Sequence, residues 1–167
     1  MAEPVNRESL QRESVKKGPA RVSTFEDLEV DRVAREFRKA MYQVAKSLPD
    51  IEKFGLVSQI RRASLSLTNN IAEGHGRFHY PDQIRFMLQS RGSLQELIDD
   101  LNTCDDEQYR PNQQVVALKE QGWQVRQLLD GYIRYLRAQM NSGAPRVKDE
   151  ELPYGDDTND SRCNHSR

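Results

Sequence analysis

Apolar residues recur at steps of three and four in four segments of the chain, which is the spacing of a helix packed along one face. No strand-like alternation competes with this pattern, so it predicts four helices. The periodic positions are Val30, Ala34, Phe37, Met41, Val44 and Leu48; Leu56, Ile60, Ala63, Leu67, Ile71 and Gly74; Ile84, Met87, Arg91, Leu94, Ile98 and Leu101; and Val115, Leu118, Gly122, Val125, Leu129, Tyr132 and Leu136.

The third segment carries more apolar residues than one helix contact requires. Phe86, Leu88 and Leu97 widen its apolar face beyond the periodic positions. A face of this width predicts contacts with more than one neighbour, and it favours homo-oligomerisation.

The first two segments begin and end at residues that are typical of helix ends. Thr24 with Asp27 three positions later resembles a capping box, which places the first helix start near Thr24. Pro49 is predicted to end that helix. The second segment stops at Gly74 and Gly76, which suit a left-handed C-terminal cap and a sharp reversal.

Prolines open the other two segments and short loops join all four. Pro81 and Pro111 lie where the missing N–H of a first-turn proline costs nothing. Short loops make sequential helices antiparallel neighbours. The sequence therefore predicts an all-α fold, an up-down-up-down antiparallel four-helix bundle.

The two ends of the chain differ in composition from the segments between them. Residues 1–23 are polar, and residues 141–167 are rich in Gly, Pro, Ser, Asn and Asp. Both are predicted to be disordered tails, because neither buries enough apolar surface to offset the entropy of ordering. The region 24–140 is then a single domain, as expected for a chain of 167 residues.

Charge and cysteine content narrow the functional classes. The chain has 25 Lys and Arg against 26 Asp and Glu, so any nucleic-acid site must be a local cluster. Cys104 and Cys163 belong to no CxxC pair, which indicates neither a disulfide framework nor a zinc site. The first residues lack an apolar signal region, and no apolar run spans a bilayer. We expect a soluble, cytoplasmic protein without membrane partners.

The stretch SLTNNIAEGHGR, residues 66–77, breaks the apolar pattern of the second segment. Asn70 flanks the predicted buried face, where a buried amide needs partners and fixes the register of packing. Glu73 precedes Arg77 by four residues, the favourable order for a helical ion pair. Gly92 and Gly122 are predicted to mark places where another backbone or ring packs closely.

Several ordered motifs resemble a known family. They are FEDLEV at 25–30, QIRRA at 59–63, NIAEG at 70–74, Arg77, IRFM at 84–87 and GSLQEL at 92–97. Together they resemble the four-helix-bundle family of 23S ribosomal RNA intervening-sequence proteins, whose relatives include the accessory variability proteins of diversity-generating retroelements. The resemblance covers about residues 24–140.

The resemblance implies an assembly and partners. It implies a homopentamer, and in the retroelement branch the binding of RNA or DNA and of a reverse transcriptase. It does not choose between the branches. The expected function is a non-enzymatic accessory or scaffold in a nucleic-acid process; the alternative is a structural or protein-interaction oligomer without direct nucleic-acid contact.

Four arginines are the candidate nucleic-acid ligands, because guanidinium groups match phosphate geometry. They are Arg61, Arg62, Arg77 and Arg85. The competing interpretation is that such arginines pair with acids such as Glu73, Glu96 or Asp99 across helices or subunits, and Arg91 on the predicted seam looks structural. Phe78, Tyr80 and Trp123 are either base-stacking residues or packing residues.

Catalytic and metal sites have little support in the sequence. His75 and His79 are four apart, but Gly76 and Pro81 interrupt any helix that would align them. No glutamate lies three residues before a histidine, as di-iron bundles require, and the phosphate-binding glycine motifs are absent. We therefore predict no enzyme activity, no cofactor and no metal.

Overall fold

The structure is a computed structural model and describes residues 24–143; the predicted tail residues 1–23 and 144–167 lie outside the described range. Residues 141–143 of the predicted tail 141–167 are described, and they form the end and the cap of α4. The four helices are long, and no strand occurs within the described residues. In chain order the elements are a 3-10 turn Phe25–Asp27, α1 Glu29–Ser47, a 3-10 turn Asp50–Glu52, α2 Leu56–His75, α3 Tyr80–Asp106 and α4 Asn112–Ser142.

The helices pack around one core as an antiparallel four-helix bundle, so the predicted fold is confirmed. Each helix packs against the next along the chain, and α1 also packs against α4. Burial of apolar side chains is the main stabilising term of such a core. The largest fully buried side chains are Phe37, Met41, Ile60, Leu67, Ile71, Met87, Leu94, Leu97, Leu101, Leu129, Leu136 and Val44.

The predicted start at Thr24 belongs to a separate short turn. The backbone N–H of Thr24 donates to the Asp27 carboxylate at 3.0 Å, as a capping box requires. That box closes the 3-10 turn, because the backbone at Leu28 is extended, with φ −72° and ψ 127°. The helix α1 begins separately at Glu29. The predicted capping box is therefore present at Thr24, but it starts a three-residue 3-10 turn rather than α1.

The predicted left-handed cap after α2 is wrong. Gly76 has right-handed helical angles, with φ −72° and ψ −7°. Gly74 is instead a buried helical residue at the contact with α3, where an added Cβ would lie 2.6 Å from Met87 Cε and 2.9 Å from Phe86 Cβ. A left-handed cap does occur at Gly143, which ends α4 with φ 63°.

The seam of α3 is rotated relative to the prediction. Arg91 is only half-buried, and the small residue Ser90 is fully buried in its place. The Ser90 hydroxyl donates to the Leu67 carbonyl at 2.7 Å, which a long side chain there would prevent. The most deeply buried positions of α3 that follow the three-four step are Met87, Ser90, Leu94, Leu97, Leu101 and Cys104.

This rotation also changes the argument for self-association. Phe86 and Leu97 are buried within the single chain, and Leu88 is half-buried. The wide apolar face of α3 is thus largely covered by α2 and α4. The exposed large apolar side chains lie elsewhere, at Ile51, Phe54, Leu65, Phe78, Val116, Trp123, Tyr135 and Met140.

The two predicted close-approach glycines have different outcomes. At Gly122 an added Cβ would lie 2.6 Å from Ile98 Cδ1 and 3.3 Å from Phe37 Cζ, so the prediction is confirmed. At Gly92 nothing outside its own stretch of helix lies within 4 Å of that position, so no close approach occurs there within the described residues. Gly92 lies on the exposed side of α3, one residue from the buried Ser93.

Candidate nucleic-acid interface

The turn between α2 and α3 brings Arg77 and Arg85 together around one aromatic ring. Their guanidinium carbons lie 4.8 Å and 5.3 Å from the ring centroid of Phe86, within cation–π range. Arg77 also pairs with Glu73, as the spacing predicts, and Arg85 lies 3.9 Å from Asp82. Both arginines therefore have acidic partners nearby in the sequence, Arg77 at the end of α2 and Arg85 in the first turns of α3.

The local fold holds this turn against the bundle. The side-chain amide of Gln83 donates to the Arg77 carbonyl at 2.6 Å, and Gln83 is itself buried. This bond ties the end of α2 to the first turn of α3. Phe78 lies between them with 70% of its surface exposed. The turn consequently presents an aromatic ring and two guanidinium groups.

Arg61 and Arg62 lie near the opposite end of α2 and diverge from each other. Arg61 lies over the Tyr42 ring of α1, 5.3 Å from its centroid. Arg62 lies 3.6 Å from Glu96 of α3. Thirteen residues of helix separate Arg62 from the end of α2 at His75, about 20 Å at 1.5 Å per residue, and Arg77 lies two residues further on. The four predicted arginines thus form no single cluster within one chain.

The polar residues of the stretch 66–77 lock α2 to α3. Asn70 donates to the Ser66 carbonyl at 2.8 Å and to its hydroxyl at 3.1 Å. The Ser66 hydroxyl in turn accepts from Ser93 of α3 at 2.8 Å. Because these groups satisfy one another in one alignment only, they fix the register of the two helices.

Arg91 joins α3 to α4 through an ion-pair network at the surface. Its guanidinium lies 3.2 Å from Asp130, which also accepts from Arg126 at 2.8 Å. Desolvation alone would raise the pKa of Asp130, but the bonds from Arg126 and Arg91 lower it below its usual value. Arg91 therefore joins α3 to α4 through an ion pair, and it lies beside the buried seam rather than on it.

The described residues offer little to catalysis. Burial raises the pKa of the Cys104 thiol to about 11, which keeps it protonated and unreactive at neutral pH. Within residues 24–143, no three His, Cys, Asp or Glu side chains gather closely enough to hold a metal ion. Over the same range, no helix has the length and apolarity needed to cross a membrane.

A polar stripe on α1 was missed by the sequence reasoning. Asp31, Arg35, Arg38 and Tyr42 follow steps of four, three and four, immediately beside the apolar positions of that helix. They line the groove between α1 and α2. The signal was present in the spacing, because a polar stripe adjacent to the core seam faces the groove beside a neighbouring helix.

Comparison with known proteins gives one family match. Residues 26–131 match the family model described as 23S rRNA-intervening sequence protein, well over half of the chain. The chain belongs to this family. A search of curated proteins finds no match. For this intervening-sequence protein, the match spans the 3-10 turn before α1 through most of α4 and includes every arginine of the candidate set.

Proposed function

We propose that this intervening-sequence protein is a non-enzymatic, self-assembling bundle that serves as an accessory or scaffold in a nucleic-acid process. The observation that carries the proposal is the family match over residues 26–131, because the family description names 23S rRNA. RNA is therefore the first ligand to test.

The α2–α3 turn supplies groups that suit RNA. Arg77 and Arg85 carry guanidinium groups, which match phosphate oxygens in shape and charge. Phe78 exposes a ring on which a base can stack. The turn also leads into the N-terminus of α3, a helix of 27 residues whose first N–H groups and dipole favour an anion.

The test is a titration of labelled single-stranded RNA and DNA at several salt concentrations. The variant Arg77→Gln/Arg85→Gln should bind more weakly, and its plot of log affinity against log salt should be shallower by about 1.4 if two phosphate contacts are lost. The matched control is Arg134→Gln/Arg137→Gln, two exposed arginines of α4, and it removes the same charge. Wild-type protein that binds no RNA at low salt contradicts direct nucleic-acid contact.

The alternative is a structural or protein-interaction oligomer without direct nucleic-acid contact. The observation that favours it is that three of the arginines pair with acids: Arg62 with Glu96, Arg77 with Glu73 and Arg85 with Asp82. Such exposed pairs contribute little to stability, yet they reduce the positive potential available to a phosphate. The same titration separates the two functions.

Self-assembly is supported by apolar side chains on the outer face of α4. Val116 and Trp123 are 46% and 44% exposed and lie seven residues apart, so both project from the same side of the helix. Neighbouring exposed apolar groups are typical of protein contact surfaces. The homopentamer and the reverse-transcriptase partner stay implications of the family resemblance, and the cytoplasmic location stays a prediction of the sequence.

A further inference from the structure

A second surface with cationic side chains lies in the groove between α1 and α2, and one end of it reaches Ala72, close to the α2–α3 turn. It consists of two adjoining hollows that share Arg38. The first, about 240 Å³, is lined by Phe25, Glu26, Asp31, Arg35, Arg38, Thr68, Asn69 and Ala72. The second, about 370 Å³, is lined by Arg38, Lys39, Tyr42, Gln43 and Leu65. We call these two hollows the α1–α2 groove.

Arg38 is positioned at the junction with most of its donors unused. It donates to the Thr68 hydroxyl at 2.8 Å, and a guanidinium has five N–H donors. The ion pairs formed among residues 24–143 include neither Arg38 nor Arg61, which covers the Tyr42 ring nearby. These two guanidinium groups can thus take phosphates without breaking an ion pair.

The second hollow joins this charge to apolar surface. Tyr42 and Leu65 form its walls, and 45% of the Leu65 side chain is exposed. Lys39 borders the same hollow and pairs with Glu36 on its own helix. Aromatic and apolar surface beside cations is the combination that binds single-stranded nucleic acid, because bases stack while phosphates pair.

The first hollow contains an acceptor that lacks a donor. Asp31 is buried, and its Oδ2 accepts no hydrogen bond; the nearest cation is Arg35, with Nη1 3.8 Å away. An unsatisfied buried acceptor is costly, so a ligand N–H that reached it would bind favourably. Among base groups, the exocyclic amino group of cytosine is a preferred donor to a carboxylate.

We propose that the α1–α2 groove binds single-stranded RNA, with phosphates on Arg38 and Arg61, a base against Tyr42 and Leu65, and a base amino group on Asp31. The inference rests on the proposed function, in which the protein contacts RNA. It adds a contact on α1 and α2 to the one proposed at the α2–α3 turn. It also adds a preference for cytosine over uracil, which carries an oxygen where cytosine carries its amino group.

The test uses the full chain with labelled cytidine and uridine homopolymers of equal length at low salt and pH 8. We expect the cytidine polymer to bind about tenfold more tightly. Arg38→Gln/Arg61→Gln should weaken both polymers by about tenfold or more and flatten the salt dependence. Asp31→Asn should reduce the preference for cytidine while retaining RNA binding. The α4 variant Arg134→Gln/Arg137→Gln should bind as wild type does.

If Arg38→Gln disturbs the contact with Thr68 and unfolds the chain, the exposed pair Lys39→Gln/Arg61→Gln provides the same test. Equal losses in the groove and α4 variants overturn the inference, and so does equal affinity for the two polymers. If only the variant Arg77→Gln/Arg85→Gln loses RNA binding, the inference about the groove is overturned and the proposed function stands. Wild-type protein that binds neither polymer overturns both.

Discussion

At the scale of single residues, two glycines on adjoining helices show opposite environments. Gly74 faces α3 so closely that an added Cβ would also lie 3.3 Å from the Gln83 carbonyl oxygen. Gly92 faces open space. Helix propensity favours alanine at both positions by about 1 kcal/mol, so packing alone decides the sign of each substitution.

We expect Gly74→Ala to lower the free energy of unfolding by about 1–3 kcal/mol, because the new methyl group overlaps Phe86 and Met87. The matched control Gly92→Ala should raise it by about 0.5–1 kcal/mol. Urea denaturation of both variants checks this. Stabilisation by both substitutions would show that α2 and α3 do not approach each other this closely.

Asp100 of α3 is a buried acid whose Oδ2 accepts no hydrogen bond. Burial is the main reason why its pKa is raised to about 6, and the nearby carboxylates of Glu96 and Asp99 add to the effect. Arg62 and Gln59 on α2 act in the opposite direction. Ionisation of Asp100 is therefore less favourable in the native state than in the unfolded chain, although the group is still mostly charged at pH 7.

A folded-state pKa above the ordinary value of 3.8 makes stability rise as the pH falls from about 6 to about 4, since the native state then binds more protons. Asp100→Asn should raise the free energy of unfolding at pH 7 by at most about 3 kcal/mol, at 1.4 kcal/mol per pKa unit. Near pH 4 most of the gain should be lost. Glu120→Gln, the same carboxylate-to-amide change at an exposed position of α4, is the control. A gain for Asp100→Asn that is equal at both pH values contradicts the prediction.

At the scale of elements, the end of the bundle opposite the α2–α3 turn is closed by side chains from distant parts of the chain. Glu52 accepts from the backbone N–H of Leu56 at 3.1 Å and from the Tyr109 hydroxyl at 2.9 Å. The bond to this carboxylate is the main reason why the pKa of Tyr109 is raised. Arg110 of the same loop donates to the Ser47 hydroxyl at the end of α1. The α3–α4 loop thus holds α1 and α2 together.

We expect Glu52→Ala to lower the free energy of unfolding by about 1–2 kcal/mol, because it removes the first-turn partner of α2 and leaves Tyr109 without its acceptor. Glu120→Ala, at an exposed position of α4, should stay within about 0.5 kcal/mol of wild type. Thermal denaturation followed by circular dichroism measures both. Equal effects would show that the bridge at Glu52 contributes nothing.

The elements themselves could be predicted from the spacing of apolar residues, because a helix repeats nearly the same side every three or four positions. The sequence did not predict the rotation of α3. Arg91 falls on the three-four spacing of the apolar residues, which predicts that it faces the core. In the structure Ser90 faces α2 instead, because its hydroxyl donates to the Leu67 carbonyl. One residue of rotation is about 100°, which spacing alone resolves poorly when both flanks are apolar.

At the scale of the whole molecule, the apolar surface that the four helices leave exposed decides whether copies of the chain associate. We expect wild-type protein to have a mass above that of one chain in light scattering at micromolar concentration, and five times that mass if it is a homopentamer. Val116→Gln/Trp123→Gln should shift the mass toward one chain, because both side chains are exposed on one side of α4. Phe54→Gln removes an exposed ring elsewhere and is the control. A wild-type mass equal to one chain contradicts self-assembly.

The candidate site could be predicted only in part. The sequence identified Arg61, Arg62, Arg77 and Arg85 as basic residues, and the structure distributes them between the α2–α3 turn and two faces of α2. The groove at Arg38 depends on residues from two helices, so no spacing within one segment could reveal its second wall.

The sequence by itself determined the four helices, their antiparallel order and most of the core, because these follow from periodicity and short loops within local stretches. Only the tertiary structure decided which side of α3 is buried, which acids pair with each arginine and where the grooves lie. These features depend on distances between side chains far apart along the chain, and such distances are set by packing rather than by local pattern.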